Sequence, residues 1–209
     1  MKIRNKIISL FASTAIISCA AATNVLAQAK NFAGPSLAIN GSYNGGNLKM
    51  SEGGDSASFG EESSVLGIDA AYTFPIDNNF FIALGATYDL GKTKAGGLSG
   101  SVSAKAELDE HKSIYLQPGY TFNNSTAIFG KVGYHEADGT LSVTVGNASG
   151  SIAGTFEGWS YGLGLKSFFN NNAFVQVEGN VTEYDSKTSL GVNFEPTVVS
   201  ATISVGYKF

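Results

Sequence analysis

Cysteine is almost missing: Cys19 is the single one, so residues 30–209 hold no disulfide, no thiolate nucleophile and no cysteine metal ligand. Proline is scarce, at 4 residues of 209, and charged residues make up only 14%, which excludes a proline-rich linker and a polar disordered tail. A basic excess is missing too; the formal charge is −4, which argues against a nucleic-acid partner. Histidine occurs twice, as His111 and His135, and two histidines alone do not make a metal site. Beyond residue 30 no segment sustains apolar residues at the three-and-four spacing of an amphipathic helix. What the chain does have is 26 glycines, 14 phenylalanines, 9 tyrosines and period-two alternation, the composition of an ordered, glycine-tolerant, all-β chain.

The first thirty residues, MKIRNKIISLFASTAIISCAAATNVLAQAK, set Lys2, Arg4 and Lys6 before an uncharged apolar run. Ala27-Gln28-Ala29 then supplies the small residues that a signal peptidase requires, so cleavage is expected between Ala29 and Lys30. Residues 1–29 form the leader and residues 30–209 one domain. Losing the leader removes three positive charges and no acidic residue, taking the formal charge from −4 to −7. Two other readings stay open. The apolar run could be a membrane anchor, although it is short for a span and diluted by Ser and Thr. Ile16-Ile17-Ser18-Cys19 is similar to the lipobox of a bacterial lipoprotein, which would put a lipid on Cys19.

One scheme recurs along the mature chain: YTFPIDNNFF at residues 72–81, YTFNNSTAIF at 120–129, KSFFNNNAFV at 166–175, and a terminal YKF. Each copy joins two alternating runs through a short, turn-forming stretch. In the first hairpin Leu66, Ile68, Ala70, Tyr72 and Phe74 share a face with Phe80, Ile82, Leu84, Ala86, Tyr88 and Leu90, against Asp69, Thr73, Ala83, Gly85 and Asp89 on the other. Eight strands are expected, the outer two being SLAINGSY from Ser36 and PTVVSATISVGYKF from Pro196. Three connectors are short; four, over residues 44–62, 91–107, 136–155 and 185–195, are long. Short and long alternate strictly, so all short turns lie at one end of an antiparallel array. Phe74, Phe80, Phe122, Phe169 and Phe209 gather at that end, where aromatic rings favour the boundary between hydrocarbon and water. A soluble β-sandwich shares the strand count. It would bury its apolar face and guard its edge strands, whereas here the second face is rich in Gly, Ala, Ser and Thr, as a narrow lumen requires.

From Ser36 to Phe209 these features resemble the small outer-membrane β-barrels of Gram-negative bacteria, of the opacity-protein, OmpX and OmpA-transmembrane-domain kind. The most specific element is the final ISVGYKF, in which Ile203, Val205, Tyr207 and Phe209 share a face. The resemblance implies an eight-stranded antiparallel up-and-down transmembrane β-barrel in the outer membrane of a Gram-negative bacterium. It implies that these four residues are the signal read by the barrel-assembly machinery, with outer-membrane lipid and lipopolysaccharide as surroundings.

Strand parity sends Asn40, Asp69, Asp89, His111, Gln117, Lys131, His135, Lys166, Gln176, Glu178, Asn180 and Lys208 into the lumen. Side chains nearly fill so narrow an interior, so Asp69, Gln117, Lys131, Lys166, Gln176 and Glu178 are expected to form a polar network, with Lys166 and Glu178 as its ion pair. His111-Lys112-Ser113 is similar to the His-x-Ser of lipid A deacylases, but parity turns both residues inward, away from an acyl ester in the membrane. GKT at residues 91–93 lacks the glycine that a phosphate loop needs five residues earlier, where Ala86 stands. No enzyme activity and no cofactor are expected. The first long connector, glycine- and serine-rich and acidic, reads as a mobile loop; TLSVTVGNASGSIAGTF reads as a protruding hairpin turning at residues 146–150. Strand ends raised above the surface offer edges to an extracellular protein or other surface ligand. The expected role is a non-enzymatic, envelope-stabilising barrel with loops for surface interaction or adhesion. The alternative is a narrow porin-like channel or a lateral route for small hydrophobic molecules. A closed barrel resists SDS until boiled, so heated and unheated protein from outer membranes should migrate differently on a cold SDS gel; a soluble periplasmic protein with no shift would favour the sandwich.

Overall fold

The computed structural model describes residues 29–52, 55–98, 102–145, 148–189 and 192–209. Cys19 and Ala27 lie outside the described residues, while Ala29 and Lys30 lie within them. The strands are β1 (Gly34–Glu52), β2 (Asp55–Pro75), β3 (Phe80–Asp89), β4 (Thr93–Leu98), β5 (Val102–Thr121), β6 (Thr126–Val145), β7 (Ala148–Phe168), β8 (Ala173–Tyr184), β9 (Lys187–Ser189) and β10 (Val192–Lys208). All but β4 and β9 pair in sequence order, antiparallel, and β1 returns to pair with β10 from Ser36↔Lys208 to Ser51↔Asn193. The sheet therefore closes into an eight-stranded barrel. Short β4 and β9 add to β5 and β10 at the long-strand end.

The alternating runs fall where the sequence puts them, but the four long connectors are mostly strand. The first, read above as a mobile loop, is instead a hairpin whose ladder runs from Gly34↔Thr73 to Glu52↔Asp55. The 136–155 stretch is paired from Glu136↔Glu157 to Val145↔Ala148, so strand continues through residue 145 and resumes at 148; residues 146 and 147 of its expected turn lie outside the described residues. The physical reason is that alternation is a signature of one wet and one greasy face. In the 44–62 stretch Gly, Ser and charged residues occupy both alternating sets, so no alternation marks the strands while the backbone ladder continues unchanged.

The apolar face points outward. Ile39, Leu66, Leu163 and Ile203 are each at least 60% exposed, and large apolar side chains on every long barrel strand join them in a continuous belt far larger than a soluble monomer presents. Aromatic rings border it. At the short-turn end Tyr72–Phe74, Phe80–Tyr120, Tyr120–Phe122 and Tyr207–Phe209 are in contact, at 4.6 to 5.8 Å between centroids. At the other end Tyr134 meets Trp159 edge to face, at 5.4 Å. The recurring turn has one construction. Asp77 Oδ1 accepts the N–H groups of Asn79 and Phe80, Asn123 Oδ1 those of Ser125 and Thr126, and Asn170 Oδ1 those of Asn172 and Ala173. An acidic or amide side chain caps two orphan donors each time, and these bonds hold the Asp77 carboxyl below its ordinary pKa.

Parity breaks once. Between Asp109↔Asp138 and Lys112↔Glu136 the register of β5 slips by one residue, with Glu110 at φ 47°. A bulge of this kind moves each side chain beyond it to the opposite face. Ser113, Tyr115 and Gln117 face the lumen below the bulge; above it Leu108 turns inward at 2% exposure, and Asp109 turns outward to meet Lys92 Nζ at 3.0 Å. Deleting Glu110 should reverse this, burying the Asp109 carboxylate and exposing Leu108. Its cost is about 3 kcal/mol, read as a lower urea midpoint in lipid vesicles; Glu110→Gly, which relieves the left-handed backbone by ~1 kcal/mol, should raise the midpoint or leave it unchanged.

Candidate functional site

The lumen is built on glycine. Four of its aromatic side chains lie across a neighbouring strand's glycine: Phe81 opposite Gly119, Tyr115 opposite Gly85, Phe129 opposite Gly164 and Phe174 opposite Gly206. A Cβ added at any of the four glycines would stand within 2.4 Å of the facing ring, so the narrow interior takes a ring only where the adjacent strand has no side chain. On the middle of β7 the inward positions are Ser160, Gly162 and Gly164, a stretch almost without lumenal side chains between Phe156 and Lys166. That bareness lets β6 and β8 touch across it. Lys131 Nζ meets Glu178 Oε1 at 3.0 Å and Oε2 at 3.2 Å, with both side chains no more than 8% exposed.

The ion pair is therefore Lys131–Glu178, and not the Lys166–Glu178 pair expected from the sequence. The ladder shows why: Lys166 lies opposite Gln176, Glu178 lies opposite Gly164, and Lys166 Nζ sits 3.9 Å above the Phe174 ring. Gln176 Nε2 and Asn180 Nδ2 each donate to Glu178 at 2.9 Å, so its carboxylate is fully engaged. Lys131 Nζ also lies 4.0 Å over the Tyr115 ring, and the Tyr115 hydroxyl donates to Asp69 Oδ1 at 2.9 Å. Asp69, Tyr115, Lys131, Glu178, Gln176 and Asn180 thus form one connected belt. Gln117 is buried on the same wall, at 2% exposure. Tyr115, two residues before Gln117 on the same face of β5, is a member that the sequence reading left out of the lumenal set.

A second chain lies toward the long-strand end. Asp89 Oδ2 bonds His111 Nδ1 at 2.7 Å, His111 Nε2 bonds His135 Nδ1 at 2.7 Å, and His135 Nε2 bonds Ser160 Oγ at 2.6 Å. The imidazoles stack, with centroids 4.9 Å apart. An ionised carboxylate only accepts, so with His111 neutral its Nδ1 carries the proton, and each following donor is fixed in turn: His135 Nδ1–H to His111, and the Ser160 hydroxyl to His135. One added proton on His111 reverses the direction of both later bonds. Ser113 is buried and bonds Thr87 across the sheet at 2.5 Å; His111 and Ser113 both face the lumen, away from the outer wall. Among the described residues no group of three or more His, Cys, Asp and Glu side chains could hold a metal ion.

The two polar layers border a cavity of about 70 Å³ lined by Asn40, Asp89, His111, Lys131, Ser160 and Asn180 among others, room for roughly five waters. Asn180 Oδ1 is a buried acceptor with no protein donor. Apolar clusters lie toward both ends. Toward the long-strand end Leu108, Ala137, Tyr184 and Val198 pack together with Ala106 and Phe156. At the short-turn end a 3₁₀ turn, Ala29–Phe32, folds into the mouth, where Phe32 stacks on Phe81 at 5.5 Å and meets Phe168 edge-on at 5.1 Å. Neither closure was legible by strand parity: the first depends on the bulge, the second on a segment ahead of the first strand. Ile203, Val205, Tyr207 and Phe209 lie on the outer wall, 48% to 70% exposed.

Residues 10–209 match the family model for the outer membrane protein beta-barrel domain. Against curated proteins the sequence gives no match. Similar solved structures include Ail, the attachment invasion locus protein of Yersinia pestis, in complex with the heparin analogue sucrose octasulfate (16% identity, 85% of this chain and 99% of that one, TM-score 0.48). OprG from Pseudomonas aeruginosa is similar at 16% identity (89% and 99%, TM-score 0.49), and Neisserial surface protein A at 17% (83% and 97%, TM-score 0.43).

Removing one partner of the lumenal pair leaves a buried charge. Lys131→Met should lower stability in lipid vesicles by about 3–5 kcal/mol, whereas Lys131→Met with Glu178→Leu should recover most of the loss. Equal destabilisation by the single and double variants would show that the pair itself is not the linchpin of the network.

Proposed function

Because the chain belongs to the outer membrane protein β-barrel family, we propose that it is a closed, non-conducting barrel that reinforces the Gram-negative outer membrane and presents its extracellular strand ends for surface contact or adhesion. The observation that carries this reading is the double seal. The polar chamber holding Lys131–Glu178 and Asp89–His111–His135–Ser160 has the Phe32, Phe81 and Phe168 rings at its periplasmic end and the Leu108, Tyr184 and Val198 cluster at its extracellular end. A solute would have to displace apolar packing twice and then break a buried ion pair. In this role the polar layers are structural: they neutralise one another and lock the barrel's shape, and no residue performs chemistry.

Display rests on the β6–β7 ladder. Beyond the aromatic pair Tyr134 and Trp159 it continues from His135↔Gly158 to Val145↔Ala148, roughly 35 Å of strand at the usual rise. Ion pairs stiffen the base of the extracellular region: Lys112–Glu136 at 2.8 Å between β5 and β6, Lys94–Glu61 at 2.8 Å between β4 and β2, and Lys49–Glu195 at 3.1 Å between β1 and β10. The carboxylates of Glu136 and Glu61 raise the pKa of Lys112 and Lys94 above the ordinary lysine value. A region held by paired strands can offer a fixed surface to a ligand at low ordering cost. Outer-membrane lipid, lipopolysaccharide and, during biogenesis, the barrel-assembly machinery reading Ile203, Val205, Tyr207 and Phe209 complete the proposed set of partners.

Purified wild-type protein in a planar bilayer should give no reproducible conductance steps, while a Phe32→Ala/Tyr184→Ala variant, loosened at both ends, should flicker. Reproducible steps from the wild type would replace the sealed-barrel reading with a narrow channel.

A further inference from the structure

We propose that the mature protein keeps Ala29, and that its leader is cut between Ala27 and Gln28 instead of between Ala29 and Lys30. The small-residue rule leaves both bonds open: Ala27 and Ala29 precede one, Val25 and Ala27 the other. The folded barrel distinguishes them, because Ala29 is part of its periplasmic seal. The Ala29 N–H donates to the carbonyl of Asn78, in the turn between β2 and β3, at 2.8 Å. Its side chain is 0% exposed and packs with Phe32, Phe81 and Ala127. It begins the 3₁₀ turn that carries Phe32 into the mouth.

The rest of the turn is tied just as specifically. Asn31 Nδ2 donates to the carbonyl of Asn124, in the turn between β5 and β6, at 3.2 Å, and Lys208 Nζ donates to the carbonyl of Asn31 at 2.6 Å. Three separate parts of the barrel rim therefore hold four residues in place. A chain beginning at Lys30 would lose the first tie and uncover the methyl-sized gap between Phe81 and Ala127. It would also place an α-ammonium one residue from the carbonyl that already binds the Lys208 ammonium, with like charges in close company. A chain beginning at Gln28 leaves Ala29 as an ordinary amide donor to Asn78 and takes the terminal charge off the residue next to Asn31. Since the peptidase acts before the barrel forms, the preference reflects what the folded product needs, and it stands whether or not the barrel conducts.

Intact mass and N-terminal peptide analysis of the protein isolated from outer membranes of cells expressing the full chain should give Gln28, free or cyclised, as first residue. A first residue of Ala29 or a lipid on Cys19 would overturn the assigned bond, and Lys30 would overturn the retention of Ala29 as well. Ala29→Leu gives a second readout independent of folding. A bulky residue is refused immediately before the cut but tolerated two places after it, so the variant should be processed as fully as the wild type; accumulation of uncleaved precursor would place the cut after residue 29.

Discussion

Closure of the β1–β10 ladder is the condition on which the rest of this structure depends. In hydrocarbon every backbone N–H and C=O needs a partner within the protein, and an open sheet leaves two edges without one. Pairing from Ser36↔Lys208 to Ser51↔Asn193 removes both edges. Once the sheet is closed, its two faces become an outside and an inside, and the chain must satisfy opposite demands on alternate residues: lipid for Ile39, Leu163 and Ile203, a cramped polar interior for Asn40, Lys131 and Glu178. Terminal residues acquire structural weight for the same reason. Phe209 N–H bonds the carbonyl of Pro35, and Lys208 N–H that of Asn172, so the last residues fasten the seam and its neighbour.

Narrowness then dictates the interior. Eight strands enclose a space that side chains nearly fill, and the chain meets that limit by pairing bulk with absence. A ring on one strand lies over a glycine on the next, and β7 is bare at Gly162 and Gly164 so that Lys131 and Glu178 can meet across it. A channel that must pass solute would need the reverse, small residues facing a continuous water column. Here the remaining space is a small polar chamber with apolar clusters toward each end, in which Lys131 and Glu178 pair, Asp69 accepts from Tyr115 and Lys166 lies over the Phe174 ring.

Much of this was readable in one dimension. The three Asn- or Asp-centred turns, the aromatic borders, the outward set on each strand and the inward set from Asp69 to Asn180 all follow from period two and from turn chemistry. The strand ends beyond the apolar band were readable only in part: TLSVTVGNASGSIAGTF reads as a hairpin and is one, whereas the glycine- and serine-rich stretch at 44–62 leaves no alternation to detect. The bulge at Glu110 was not readable, because Asp109 to Ser113 is polar throughout and carries no alternation to show that one residue is skipped. The Lys131–Glu178 pairing failed to show for a related reason: it joins strands separated by a third, and sequence reasoning compares a strand with its own hairpin partner.

What the sequence determined by itself is the architecture and its surroundings: exported, all-β, eight alternating strands, short turns at one aromatic-lined end, lipid outside. Those are local properties, fixed by the twofold repeat of a strand and by the residues that can turn a corner. What only the tertiary structure decided is which inward groups meet. The stagger between strands selects the partner of each charge, the missing side chains at Gly162 and Gly164 open the path between them, and one left-handed residue on β5 chooses whether Leu108 or Asp109 enters the mouth. Contacts in a barrel lumen depend on the register of non-adjacent strands around a closed circle, and that register is a property of the whole ring.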